Sequence, residues 1–204
     1  MLKKTFINLL LKYTDNASLI DELWAEIESN YSGKKRYYHN LSHLENLLAQ
    51  LIKVKDQIKQ WDTILFTLYY HDAVYKAIKS NNEEASAILA DKRMKQISVP
   101  TEIINSCKAQ ILATKKHQEN SDTDTNYFTD VDLSVLGQDW ERYSQYYQQV
   151  RKEYSIYPDI MYNPGRKKVL QHFLDMNRIF KTEFFYSAFE NQAKQNLKKE
   201  LSLL

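Results

Sequence analysis

Apolar residues recur along this chain at spacings of three and four, and the strict alternation of a half-buried strand is hard to find. Leu41, Leu44, Leu47, Leu48, Leu51 and Ile52 make one stripe, and Ile103, Ile104, Cys107, Ile111 and Leu112 a second. Val169, Leu170, Phe173, Leu174 and Phe180 form a third, and Phe185, Phe189, Ala193, Leu197 and Leu201 a fourth. A period near 3.6 puts each set on one face of a helix, where it can be buried against other helices. The punctuation between stripes is short: Ser32-Gly33-Lys34, the stretch from Gln118 to Thr125, Gly137, and Asn163-Pro164-Gly165 read as breaks. Asn82 followed by Glu83 and Glu84 reads as a capped helix start, since free N–H groups favour both a side-chain acceptor and negative charge. Pro100-Thr101-Glu102 reads as another opening. The pattern predicts an all-α fold of about nine or ten helices in one domain.

Composition sharpens this in one respect. The 204 residues include only three Gly and three Pro, so the many tight corners of a β architecture have little to be built from. The apolar fraction of 43% and charged fraction of 26% are ordinary for a globular chain. Cys107 is the only cysteine, which rules out an internal disulfide and fits a reducing compartment. The opening apolar run Leu9-Leu10-Leu11 stops at Lys12, too short for a signal-peptide core or a membrane span. The chain is therefore expected in the cytoplasm. A net charge of +2 gives no pull toward nucleic acid or a membrane surface, and neither is an expected partner.

Chemistry concentrates in three places. His39 and His43 lie four apart in Tyr38-His39-Asn40-Leu41-Ser42-His43, a spacing that on a helix places two imidazoles on one face. His71-Asp72 follows the apolar stretch Ile64, Leu65, Phe66 and Leu68. Neighbours on a regular helix do not face each other, so these two can ligate one ion only where the backbone departs from the helix. Asp130 and Asp132, after the polar loop, supply acids that could close a site. Each element alone is unremarkable, since a lone histidine pair is usually a satisfied surface or core pair.

Taken together and in order, Tyr-His-Asn-x-x-His, His-Asp and Asp-Leu-Ser resemble the HD superfamily of metal-dependent phosphohydrolases, and the first and last look like their counterparts in cyclic-nucleotide phosphodiesterases. The likeness to a small bacterial family of predicted HD phosphohydrolases extends to Asn82-Glu83-Glu84-x-Ser86-Ala87, Thr114-x-x-His117, Asp132-Leu133-Ser134-Val135-Leu136-Gly137 and Arg151-x-Glu153-Tyr154. It implies an HD core with C-terminal helices over 37–204 and N-terminal covering helices over 1–36. It also implies metal ligation by His43, His71, Asp72 and Asp132, with His39 at the position that protonates the leaving oxygen. Two imidazoles and two carboxylates suit a divalent ion such as Mn, Fe, Co, Ni, Zn or Mg. Asp132 could additionally accept a proton from the attacking water, and His39 deliver one to the departing alkoxide.

The remaining candidates concern substrate, which is expected to be a small phosphorylated molecule such as a nucleotide. Arg151, Tyr154 and Arg166 could clamp a phosphate, although exposed arginines more often pair with acids such as Glu153. His117 could line the pocket, Asp130 could orient a ligand, and Glu83 and Glu84 could act as outer acids or simply as helix-start charges. Tyr37, Tyr38, Tyr69, Tyr70 and Tyr75 flank the proposed ligands and would serve either as a nucleobase-lining surface or as helix packing. His172 reads as surface or packing. Two other functions compete with hydrolysis: a regulatory HD module that binds without catalysis, and a di-iron oxygenase, which needs more ligands than the sequence offers.

Overall fold

A computed structural model describes residues 1–204 and contains ten α-helices and no strand. They are α1 (Leu2–Leu10), α2 (Ala17–Tyr31), α3 (Leu41–Lys53), α4 (Trp61–Tyr70), α5 (Asn82–Gln96), α6 (Thr101–Ala113), α7 (Thr123–Leu133), α8 (Trp140–Glu153), α9 (Asp159–Leu174) and α10 (Glu183–Leu203). Short 3-10 turns occupy Lys55–Gln57 and Ser134–Gly137. The all-α expectation is met. The chain forms two compact units, Met1–Thr129 and Asp130–Leu204, and the division falls inside α7. No helix is long and apolar enough to cross a membrane.

In the first unit α4 is the central rod. Every residue from Thr63 to Tyr70 is buried, and α1, α3, α5 and α6 all pack on it. A helix apolar on all sides belongs in the middle of a core. Its one polar strip is satisfied internally, with Thr67 Oγ1 bonded to Thr63 O at 2.9 Å and to Gln110 Oε1 at 2.7 Å. The first sequence stripe is buried at Leu44, Leu47, Leu48 and Leu51, while Ile52 drifts to the outer face. The second is buried at Ile104, Cys107 and Ile111, with Leu112 outside. Cys107 is a core side chain whose thiol burial pushes up to about 12, so it is no nucleophile.

α7 is tied to this unit at its start. The buried Asp124 carboxylate accepts from the backbone N–H of Lys59 (3.0 Å) and Gln60 (2.7 Å), the residues leading into α4, and the Tyr127 hydroxyl bonds Gln57. In the second unit α10 packs on α9 and on the Ser134–Gly137 turn.

Three local expectations need correction. Asn82 is the first residue of α5 and does not cap it; its amide instead binds the backbone of Lys76 and Lys79, pinning the preceding loop. The polar stretch expected as loop to Thr125 turns helical at Thr123, where Asp122 accepts from the Thr125 N–H at 3.0 Å. Asn163-Pro164-Gly165 is no break, for α9 runs through it. Pro164 has φ already suited to a helix and forfeits only one backbone donor, while burial of Arg166 and Leu170 on the far side holds the element together.

Candidate metal centre

The site is assembled from a helix start, a helix end and α7. Asn40 caps α3: its Oδ1 accepts from the N–H groups of Ser42 (2.9 Å) and His43 (3.3 Å), so His43 sits in the first turn with its ring buried. His39 precedes the cap and lies in the loop, so the pair does not share a helix face as the spacing alone would suggest. At the other end, α4 stops at Tyr70 because its hydrogen bonding changes partner. His71 N–H still reaches Thr67 O (2.9 Å), but Asp72 N–H donates to the Tyr31 hydroxyl (3.2 Å) and Ala73 N–H tightens onto Tyr70 O (3.1 Å). This is the departure from the helix that His71 and Asp72 require to face one point.

The change of partner leaves Leu68 O available to His71 Nδ1, at 3.0 Å. A carbonyl can only accept, so Nδ1 carries a proton, and it is the Nε2 side of the ring, the side that offers a lone pair whenever the ring is neutral, that faces the cluster. His71 Nε2 lies 3.3 Å from His43 Nε2 and 3.3 Å from Asp72 Oδ2. One ligand atom from each of His43, His71 and Asp132 falls within 4.8 Å of the other two, a group that could hold a metal ion. The 3.3 Å separation of the two nitrogens fits a shared ion: with bonds of about 2.1 Å each, it subtends an angle of roughly 100°. The Nδ1 bond to a backbone carbonyl is the outer contact that commonly orients a ligating imidazole.

Asp72 sits between two histidines, its Oδ2 being 3.3 Å from His71 Nε2 and 3.8 Å from His39 Nε2. Burial pushes its carboxyl up, but the charges of His71, His39 and His43 outweigh that and hold it well below the usual carboxylate range. His39 is outside the clustered trio. Its ring stacks on Tyr75 with centroids 4.1 Å apart and meets Tyr38 edge-on, while Tyr38 also contacts His43. Phe128 closes the far side of His71.

No known protein family, curated protein or solved structure matches the chain. The site therefore stands on its geometry.

The arginine and carboxylate candidates are engaged elsewhere. Arg166 is buried and bidentate to Glu200 (2.7 and 2.8 Å), and the Tyr143 hydroxyl bonds the same carboxylate. Arg151 pairs with Asp159 (2.6 Å), donates to the carbonyls of Tyr154 and Tyr157, and lies over the Tyr162 ring. The phosphate clamp is thus not formed, because both guanidinium groups already have carboxylates. The Asp130 carboxylate accepts from the backbone of Lys181 and Thr182 and from the Thr182 hydroxyl, which places it at the start of α10 and not as a ligand's orienter. Glu84 and Glu83 meet Lys115 at 2.5 and 3.8 Å. His117 lies in the turn after α6 with φ of 50°. Of the flanking tyrosines, Tyr69 and Tyr70 are core, and Tyr38 and Tyr75 reach the histidines. His172 is exposed against Phe173.

Sequence reading missed Asn40 and Tyr31. The Asn within Tyr-His-Asn-x-x-His is a legible N-cap signal; Tyr31 reaches Asp72 from 41 positions away and leaves no local signature.

Proposed function

We propose that this protein is a metal-dependent phosphohydrolase of the HD type, acting in the cytoplasm on a small phosphate ester, with nucleotides as the first class to try. The observation that carries the reading is His71 Nε2, on a ring oriented by Leu68 and held 3.3 Å from both His43 Nε2 and Asp72 Oδ2. His43, His71 and Asp132, with Asp72 beside them, would hold a divalent ion of the Mn, Fe, Co, Ni, Zn or Mg type. Bound there, such an ion offsets phosphoryl charge and lowers the pKa of water toward about 7.

The chain's own residues would do the rest. Asp132 is partly exposed and offers a carboxylate to accept the proton of the attacking water. His39 carries the proton for the leaving oxygen; it is beside the trio and outside it, and the Asp72 carboxylate 3.8 Å away stabilises its imidazolium. Tyr75 and Tyr38 hold the ring in place. This arrangement of an acid next to a donor cluster favours hydrolysis over a purely regulatory module, and a di-iron oxygenase calls for more donors than are gathered here.

The test is reconstitution of purified protein with each ion, metal analysis, and a screen against nucleotides and phosphate esters. One ion per chain and turnover with at least one ester are expected. His39→Ala should keep the ion yet lose about 10²–10⁴-fold on esters with poor leaving groups, and less on good ones. A protein that retains no ion, or hydrolysis untouched by His71→Ala, overturns the assignment.

A further inference from the structure

Arg36 lies in the loop between α2 and α3, and its guanidinium is spent on backbone. Nη1 donates to the carbonyls of His39 (3.0 Å) and Asp72 (2.8 Å), and Nη2 to Ala73 O (3.1 Å). The same group lies over two rings, Tyr31 at 5.0 Å and Tyr75 at 5.3 Å from guanidinium carbon to centroid. Those rings are themselves tied to the site: the Tyr31 hydroxyl accepts the Asp72 N–H, and Tyr75 stacks on His39. One planar cation thus spans two segments more than thirty residues apart, the loop that carries His39 and the turn that carries Asp72. Carbonyls just past a helix end are where a cation is most favoured, and the planar fork can serve several at once where an ammonium is a single point.

We infer that Arg36 is a positioning residue that sets His39 against Asp72, an inference that rests on the hydrolase reading above. It touches neither ion nor substrate. Its effect runs through the separation of the two segments, and with it the 3.8 Å approach of His39 Nε2 to Asp72 Oδ2. The N-terminal segment is then part of the site's framework and not a cover alone.

The test compares wild type, Arg36→Gln and Arg36→Lys. In metal-free protein the His39 ring proton resonances report its stacking on Tyr75, whatever the ion does. Arg36→Gln should move them toward solvent-exposed values, with Arg36→Lys in between. With Mn(II) alone as the probe, Arg36→Gln should raise the dissociation constant by about 10-fold or more, the usual effect of losing an outer contact. A role in stability only would lower the melting temperature and leave both readouts where they are, which overturns the inference. If Arg36→Gln does not fold, Arg36→Lys carries the same two measurements. A wild type that binds no Mn(II) sinks the hydrolase reading, and the His39 resonances then decide the Arg36 contact by themselves.

Discussion

Glu200 is buried with Arg166 bidentate on its two oxygens and the Tyr143 hydroxyl on one of them. Removing the carboxylate strands a buried guanidinium, whereas replacing both charges with apolar groups of similar size does not. Glu200→Ala should therefore cost about 3–5 kcal/mol in urea unfolding, and the double change Arg166→Met, Glu200→Leu much less than the sum of its parts. Equal and additive losses would show that the pair is not coupled. The same residues show where sequence reading stops at this scale. Arg166 presented a charge in the right neighbourhood for a phosphate, but its partner stands 34 positions away and is visible only once α9 and α10 are packed. His43 and His71 stood out as candidates only because Tyr-His-Asn-x-x-His, His-Asp and Asp-Leu-Ser occur in that order. Arg36 did not, because an arginine that binds carbonyls can pair with any sequence.

Helices were legible as elements where an apolar stripe ran unbroken, as at α3, and least so where backbone rules argued the other way. Pro164 and Gly165 are poor helix formers, yet α9 continues through them since Arg166 and Leu170 are buried on its inner face. Gly137 was expected only as a break, and the structure gives it a more specific task. It ends the 3-10 turn against α10, and a Cβ there would meet the Phe189 carbonyl oxygen at 2.7 Å and Cα at 2.8 Å. These are backbone atoms of a long helix and cannot step aside alone. The Asn196 amide reinforces the contact by donating to the carbonyls of Leu136 (2.8 Å) and Gln138 (2.7 Å). Gly137→Ala should accordingly destabilise by about 1–3 kcal/mol, as overpacking does, with helix content retained. A urea midpoint equal to that of wild type would mean that α10 does not need this approach.

For the molecule as a whole, the proposed metal centre carries a thermodynamic linkage that can be measured. The three clustered donors come from α3, the end of α4 and α7, which only the folded chain brings together. An ion that binds the native state and not the unfolded one stabilises it by about 2.7 kcal/mol at a free concentration 100 times its dissociation constant. For a chain of this size each kcal/mol raises the melting temperature by roughly 2–4 °C, so saturating Mn(II) should raise it by about 5–10 °C. His71→Ala removes a donor whose ring is oriented by a second hydrogen bond, to Leu68 O, and should abolish the shift while leaving most of the helix content. His172→Ala supplies the control, because that ring is exposed against Phe173 and the clustered trio does not include it. Its shift should match wild type. A shift that survives His71→Ala would place the ion on some other part of the surface, and the metal centre described here would then have no thermodynamic trace.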